Sequence, residues 1–479
     1  MTASADMATK KPVLCVDLDG TLLKTDMLHE SFIALVRRHP ALLLRLPFYA
    51  LRGRAALKEL LAHAFQFDAA VLPYRQEVLD FVRAEREQGR KVVLATASHQ
   101  KVAEKIAMHL GCFDEVFASS KTLNLKGKNK ADALVAAYGE GGFSYIGDSK
   151  ADQAVWKKSA EALVVGDAAT AGALPPHIPV KVIGSKSGAS LATLLKALRV
   201  HQWVKNLLLF LPLVLAHKLH DGDALWFAAI SFLAFSLCSS SVYVLNDLLD
   251  LEADRHHRSK CRRPFASGAL SIASGLGLLP LLLVASTFFA LFLPPLFVVV
   301  LATYLFLTFL YSVKLKQVVL VDILTLAALY TIRIIAGGEA VQVVVSEWLL
   351  GFSMFFFLSL ACVKRYSELW MLRQSNKQEV RGRGYVAGDL ELIGQLGAAA
   401  GYLSVLVMAL YISSQEVTAL YTTPRVLWLL CPMLLYWVSR VWLLAHRGQL
   451  HEDPIVFAIR DVTSYGIGVL AALVLYLAI

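Results

Sequence analysis

Three aspartates spaced three and four residues apart, Asp247, Asp250 and Asp254, follow Asn246 where a long apolar run gives way to a basic loop. On a helix this spacing puts the carboxylates on one face, within reach of one or two shared metal ions. Acids at the edge of an apolar span are costly unless a cation compensates them, so the ladder reads as a site for Mg2+ and a diphosphate. A second acidic set lies near the start of the chain. Residues 12 to 20, Pro-Val-Leu-Cys-Val-Asp-Leu-Asp-Gly, predict an apolar strand ending in Asp17 and Asp19, with Gly20-Thr21 making the turn. Another strand, Lys91 to Ala95, runs into Thr96-Ala97-Ser98. A third, Phe143 to Ile146, runs into Gly147-Asp148-Ser149, with Asp152 four residues beyond Asp148. Polar groups at the carboxyl ends of strands gather on the rim where α/β sheets bind ligands. A nucleophilic carboxylate, a second acid to move a proton, a hydroxyl, a lysine such as Lys130 and further acids for Mg2+ are the parts of a phosphate-ester site.

Two kinds of scaffold must position these groups. The chain of 479 residues is 57% hydrophobic and 18% charged, with a mean hydropathy of +0.56, which is too apolar for an ordinary soluble protein. The apolar material begins near residue 202. Residues 1–190 therefore read as a globular α/β domain, 185–196 as a tether, and 197–479 as an all-α membrane domain. Nine spans are expected, near 203–219, 224–245, 271–289, 293–310, 318–336, 347–363, 394–412, 424–443 and 462–479, the first short and broken by Pro212. Lys and Arg crowd the connections after the second, fourth, sixth and eighth spans, including Arg255, Arg258, Lys260, Arg262, Arg263, Lys377 and Arg381. The alternate connections hold almost none. By the positive-inside rule the N-terminal domain and these basic loops face the cytoplasm, with the C-terminus outside, in a bacterial-type inner membrane. The net charge of +10 falls in these short loops, as orientation signals and contacts to anionic lipid would, and nucleic acid is not an expected partner. Met1 to Lys11 is polar and unlike a secretory signal. The six cysteines show no CxxC pair and read as small buried residues.

The membrane half carries further polar groups on the same side. Tyr311, Lys314 and Lys316 follow the fourth span, Asp322 lies one turn into the fifth, Arg333 lies deeper in it, and Lys364, Arg365 and Glu368 close the sixth. Lys205 and Asn206 enter the first. Cations that bind phosphate oxygens beside acids that bind metal suit a diphosphate leaving group, on which charge builds as its bond to carbon breaks. Plainer readings stand beside this one. The ladder would pair with Arg255, Arg258 and Lys260 as a solvated loop, the lysines would be membrane anchors, Arg333 would snorkel or pair structurally, and His256 and His257 would face water.

The run Asn246-Asp247-Leu248-Leu249-Asp250-Leu251-Glu252-Ala253-Asp254 resembles the NDxxDxxxD signature of the UbiA superfamily of intramembrane prenyltransferases. The resemblance implies nine helices around a lipid-accessible cavity. Most members carry a second DxxxD signature after the fourth span. Here Tyr311-Ser312-Val313-Lys314-Leu315-Lys316 and a lone Asp322 stand instead. With Arg199-Val200-His201-Gln202-Trp203-Val204-Lys205-Asn206 and His451-Glu452-Asp453-Pro454, this is similar to the branch typified by decaprenyl-phosphate phosphoribosyltransferase. That branch implies phosphoribosyl diphosphate as donor and a polyprenyl phosphate as acceptor. Asp247, Asp250 and Asp254 would hold Mg2+ on the donor, beside Asn246. Lys205 and Asn206 would meet donor or lipid phosphate, Tyr311, Lys314 and Lys316 would bind ribose 5-phosphate or diphosphate, and Arg333, Lys364 and Arg365, with Asp322 nearby, would complete the site.

The N-terminal motifs resemble the haloacid-dehalogenase (HAD) phosphatases, close to their phosphoserine phosphatase-like class, a Rossmann-like α/β fold with a helical cap expected at 25–85. The resemblance implies Asp17 as nucleophile, Asp19 as general acid/base, Thr96 (with Ser98 the alternative) as phosphate-binding hydroxyl, and Lys130 as the phosphate lysine, with Lys121, Lys126 and Lys128 as competitors. It also implies Asp148 and Asp152 as Mg2+ ligands alongside Asp17 and Asp19. Arg37, Arg38, Arg45, Arg52, Arg54 and Lys58 would make the cap basic and able to rest on anionic lipid. The two resemblances together imply transfer of 5-phosphoribose to a polyprenyl phosphate, then removal of the 5-phosphate to give polyprenyl-phosphoryl ribose. The rivals are a prenyl diphosphate donor with another acceptor, and a transporter or scaffold with an appended phosphatase.

Overall fold

Val13–Val16 is apolar at every position, as a strand covered on both faces requires. In a computed structural model of the chain it forms β1, at the centre of a six-stranded parallel sheet. The other strands are β2 (Val92–His99), β3 (Glu115–Ser119), β4 (Phe143–Gly147), β5 (Glu161–Val165) and β6 (Val180–Gly184), in the order β3-β2-β1-β4-β5-β6. Alternation along the strands divides the core in two. Leu14, Val16, Val92, Leu94, Ile146 and Leu163 pack into one cluster, and Cys15, Val93, Ala95, Tyr145, Ala162 and Val164 into another. Because β2 and β4 flank β1 on opposite sides, the chain reverses direction across the sheet there, and the carboxyl ends of these three strands frame a crevice. Helices α1 (Met27–Arg38), α2 (Gln76–Glu87), α3 (Gln100–Leu110) and α4 (Lys128–Tyr138) complete this fold.

The described residues are 11–38, 42, 66–120, 123–172, 174–185, 190–374, 383–415, 420–450 and 454–479. Arg45, Arg52, Arg54 and Lys58 of the expected cap lie outside them. So do Lys121, Lys377, Arg381 and His451-Glu452-Asp453. The chain forms two compact units, one of Met1–Leu198 with Tyr243–Leu279 and one of Arg199–Val242 with Pro280–Ile479. The segment that bears the acidic ladder thus packs within the unit of the parallel sheet.

The second unit is helical, and seven described helices are long and apolar enough to cross a membrane. Those used below are α5 (Gly222–Leu249), α7 (Ile272–Ala290), α8 (Pro295–Val313), α9 (Val321–Ala340), α10 (Glu347–Gln374), α11 (Leu390–Ser413) and α12 (Leu430–His446), with the short α6 (Leu251–His256) between the first two. Of the nine expected spans, seven are helices of full spanning length among the described residues. The first and last are shorter apolar helices, Val200–Leu215 and Val462–Ala478. In the first, tight 3-10 turns over Val200–Phe210 precede a short α-helix with Pro212 in its first turn. Close helix packing rests on small residues: a Cβ on Gly397 of α11 would lie 2.4 Å from Cys362 Cβ of α10 and 2.2 Å from the Trp442 ring of α12. Ser359 donates to the Gly397 carbonyl at 2.7 Å and accepts from Trp442 Nε1 at 3.0 Å. Phe288, Phe306, Leu406 and Val469 point outward, a surface that lipid would cover.

Candidate active sites

At the crevice of the parallel sheet, Asp17 leaves the end of β1 buried, and Lys130 at the start of α4 reaches it with Nζ 2.7 Å from Oδ1. The same Nζ lies 2.7 Å from Tyr145 Oη, which donates to Asp152 Oδ1 at 3.0 Å. Asp152 is held from its other oxygen by the backbone N–H of Ser149 at 3.0 Å and its hydroxyl at 2.8 Å. Asp17, Asp148 and Asp152 each bring a carboxylate oxygen within 4.8 Å of the others, the one such trio among the described residues. Gly20 is required beside it, with φ of 77° and a hypothetical Cβ only 2.5 Å from Asp148 Oδ2.

Burial raises the Asp17 carboxyl to about 8, against the pull of Lys130 and with the push of Asp152 and Asp19. Burial also raises Asp19, to about 6. Lys130 loses hydration too, but Asp17 and Asp152 outweigh that loss and hold its pKa above the ordinary value. A cluster of hard oxygen donors with more acid than cation fits Mg2+.

Asp19 stands apart from the trio. It accepts from the Met27 N–H at 2.8 Å and from Ser98 Oγ at 2.6 Å, an arrangement suited to a proton carrier rather than a metal ligand. Ser98, not Thr96, lines the cleft; Thr96 is fully buried, its Oγ1 accepting from the Ser98 N–H at 2.9 Å. Arg75 and Tyr145 were not singled out in the sequence. Arg75 donates to the carbonyls of Gly20 and Thr21, both at 3.3 Å, and fixes the turn behind Asp19.

The acidic ladder spans a helix junction. Asp250 separates α5 from α6, yet its N–H still bonds Asn246 O at 2.9 Å and its carbonyl accepts from the Asp254 N–H at 2.8 Å, so the ladder stays nearly in register. A guanidinium bridges its ends: Arg263 Nη1 donates to Asp247 at 3.1 Å and to Asp254 at 2.6 Å. Asp250 faces Arg37 at 3.8 Å. Burial nevertheless leaves the Asp254 carboxyl above its ordinary range. Of the cations named in the alternative solvated pairing, Arg255 is engaged elsewhere. Arg255 turns away and makes a two-pronged pair with Glu30 at 2.6 and 3.1 Å, both side chains 5% exposed. His256 lies 3.2 Å from Asp68.

In the helical unit, Asp322 is fully buried against Arg365, which also reaches Glu368 at 2.7 Å. Tyr311 donates to Asp322 at 2.8 Å and accepts from Arg365 Nη2 at 3.0 Å. Arg383 lies 3.6 Å from Asp322 and 3.5 Å from Glu368. Two arginines and two acids make this a self-neutralised network, so Tyr311, Asp322 and Arg365 hold one another. Lys314 is exposed, while Lys316 and Lys364 are half-buried. Arg333 donates to Asn206 at 2.9 Å, to Tyr304 Oη at 3.0 Å and to the Leu329 carbonyl, with its guanidinium over the rings of Phe235, Tyr304 and Tyr330. Asn206 is thus a structural partner, and Lys205 lies over the Tyr330 ring at 5.7 Å.

Comparison with known proteins agrees with both halves. Residues 207–460 match the UbiA prenyltransferase family, and residues 14–157 match the haloacid dehalogenase-like hydrolases. The chain is 40% identical to the y4nM protein of Sinorhizobium fredii over 97% of its own length and 90% of that protein. It is 35% identical to the nodulation protein NoeC of Azorhizobium caulinodans over 57% of this chain and 88% of the other. Similarity to the decaprenyl-phosphate phosphoribosyltransferase of Mycolicibacterium smegmatis is 34% identity, covering 43% of this chain and 67% of that enzyme.

Proposed function

We propose that this chain, which belongs to the UbiA prenyltransferase family and bears a haloacid dehalogenase-like hydrolase domain at its N-terminal end, is a two-step enzyme of lipid-linked ribose. The membrane domain transfers 5-phosphoribose from phosphoribosyl diphosphate to a polyprenyl phosphate. The hydrolase domain then removes the 5-phosphate. The observation that carries the donor assignment is the similarity to the mycobacterial phosphoribosyltransferase. The pairing of Asp322 with Arg365 and Arg383, in place of a second acidic pair, supports it.

In the first step the bond from ribose C1 to diphosphate breaks and a lipid phosphate oxygen bonds to C1, with no proton to move. Asp247, Asp250 and Asp254 would hold Mg2+ with the diphosphate, and by the family resemblance Lys314, Lys316 and Lys364 are candidates for phosphate oxygens. Bound Mg2+ in either domain supplies neutralisation of phosphate charge. In the second step the Asp17 carboxylate attacks phosphorus and forms an aspartyl-phosphate as the ribose C5 oxygen leaves. Asp19 gives that oxygen its proton and then takes one from the water that releases phosphate. Lys130 opposes the burial that favours protonated Asp17 and offers positive charge to the incoming phosphate, and Ser98, which lines the cleft, is the hydroxyl assigned to receive it. The charge asymmetry of the loops supports a cytoplasmic face for both steps in a bacterial-type inner membrane. Incubation with radiolabelled phosphoribosyl diphosphate and polyprenyl phosphate is expected to yield both lipids, and Asp17→Asn only the phosphorylated one. If Asp17→Asn leaves the product ratio unchanged, the coupled reading fails.

A further inference from the structure

The cleft over Asp17 has a volume of about 1100 Å3, far more than a phosphate needs. Its near wall is the catalytic set. Its far wall, within the same unit, is a stretch of the membrane-family sequence just beyond the acidic ladder: Ser267, Gly268, Ala269, Leu270, Ser271 and Ser274. Two contacts secure that wall. A Cβ on Gly268 would lie 2.6 Å from Lys24 Cβ, so the loop lies directly on the turn that follows Asp19. Arg255 pairs with buried Glu30 and donates from Nε to the Ala266 carbonyl at 3.0 Å, joining loop and α1 through one side chain. Glu30 in turn accepts from Thr25 at 2.7 Å, on the same turn.

The chemistry of the two walls differs. Ser267 Oγ donates to the Arg263 carbonyl at 2.9 Å, Ser274 Oγ to the Ser271 carbonyl at 2.6 Å, and Ser271 Oγ to Ser274 Oγ at 3.2 Å. Ser271 Oγ also accepts from the Ser274 N–H at 3.1 Å, so the hydroxyl protons of this wall are engaged within the loop while its oxygens keep accepting capacity for a ligand. Such a wall suits sugar hydroxyl donors and is a poor host for a phosphate anion, which the Lys130 side receives.

We propose that Ser267–Ser274 is the specificity wall of the phosphatase cleft, receiving the ribose of a lipid-linked sugar phosphate while Asp17 engages its phosphate. This rests on the two-step reading above and assigns the selection of the second substrate to a loop of the transferase sequence. The test uses the full chain in detergent. Ala269→Trp, at an exposed position on the wall, is expected to lower kcat/KM for the phosphoribosylated lipid ~10-fold or more while hydrolysis of p-nitrophenyl phosphate stays within about twofold. Equal loss on both substrates, or on neither, overturns the proposal. A second measurement needs no lipid turnover. In a chain carrying Asp17→Asn, Cys261→Ser and Ala269→Cys, ribose 5-phosphate is expected to slow maleimide labelling of the introduced thiol, whereas inorganic phosphate at the same concentration is not. Protection without hydrolysis of the lipid would retain the wall and reject the two-step pathway. Hydrolysis without protection would retain the pathway and reject the wall.

Discussion

Replacing Arg263 by glutamine tests whether the acidic ladder is a cation site that an internal guanidinium fills when metal is absent. One nitrogen serves Asp247 at 3.1 Å and Asp254 at 2.6 Å, and these carboxylate side chains are only 2% and 4% exposed, against 26% for Arg263. Unit charges about 4 Å apart attract by roughly 4 kcal/mol at an effective dielectric constant near 20. Lost hydration offsets much of that attraction, and water still reaches the guanidinium, so about 1 to 2 kcal/mol for the two pairs together is a fair net value. An incoming Mg2+ must displace Arg263 and forgo this stabilisation. Removing the guanidinium should therefore tighten Mg2+ binding ~10-fold, equivalent to about 1.4 kcal/mol. The assay is thermal unfolding of the full chain in detergent, with Asp148→Asn present to silence the hydrolase site. Arg263→Gln is expected to melt lower in EDTA, because two buried acids lose their cation, and to recover at ~10-fold lower Mg2+ than the parent. An unchanged or higher Mg2+ midpoint would refute the reasoning and make Arg263 a supporter of the metal rather than its competitor.

The other expectations concern buried charge. Burial pushes the Asp17 carboxyl up to about 8 and that of Asp19 to about 6, above the ordinary value of 3.8, so the protonated forms favour the fold. Their stabilising contribution is full below that value and is lost as pH rises through about 6 and then about 8. The EDTA-treated chain should accordingly lose melting temperature between pH 5 and pH 8, roughly a window set by those values, and Asp17→Asn should flatten the slope; a pH-independent melt in both would contradict the burial argument. In the helical unit, Arg365→Met leaves Asp322 as a buried, weakly compensated acid and should cost about 3 to 5 kcal/mol of stability. Adding Asp322→Asn should restore most of it, and a double variant no more stable than Arg365→Met alone in chemical denaturation would show that the pair is not the source.

Much of this arrangement is legible in the sequence because it depends on local rules. Asp17 and Asp148 follow apolar strands directly, and parallel strands bring their carboxyl ends together. The ladder keeps its spacing through the helix junction at Asp250 because the i to i+4 hydrogen bonds continue across it. What the sequence conceals is long-range. Arg255 meets Glu30 across 225 residues, and nothing local distinguishes it from Arg258 or Arg263 as the ladder's partner. The choice between Thr96 and Ser98 depends on where β2 ends, and its register against β3 shifts between Ala95 and His99, so strand alternation does not predict which hydroxyl faces the cleft. Tyr145 reads as an ordinary core aromatic until its hydroxyl is found between Lys130 and Asp152. Hydropathy located nine apolar segments, but the 3-10 turns over Val200–Phe210 and the proline that follows hold the first below full span length.

The engagement of Asp322 by Arg365, Tyr311 and Arg383 bears on redesign of the proposed donor site. Grafting a second pair of carboxylates after α8 would not by itself create another metal position, since the acid already present nearby is locked to guanidinium groups. Arg365 would have to be removed together with the graft, and Glu368 and Arg383 rebalanced with it. A change of donor chemistry at this corner of the protein is therefore a concerted substitution of several charges, with each single step passing through a less stable intermediate sequence.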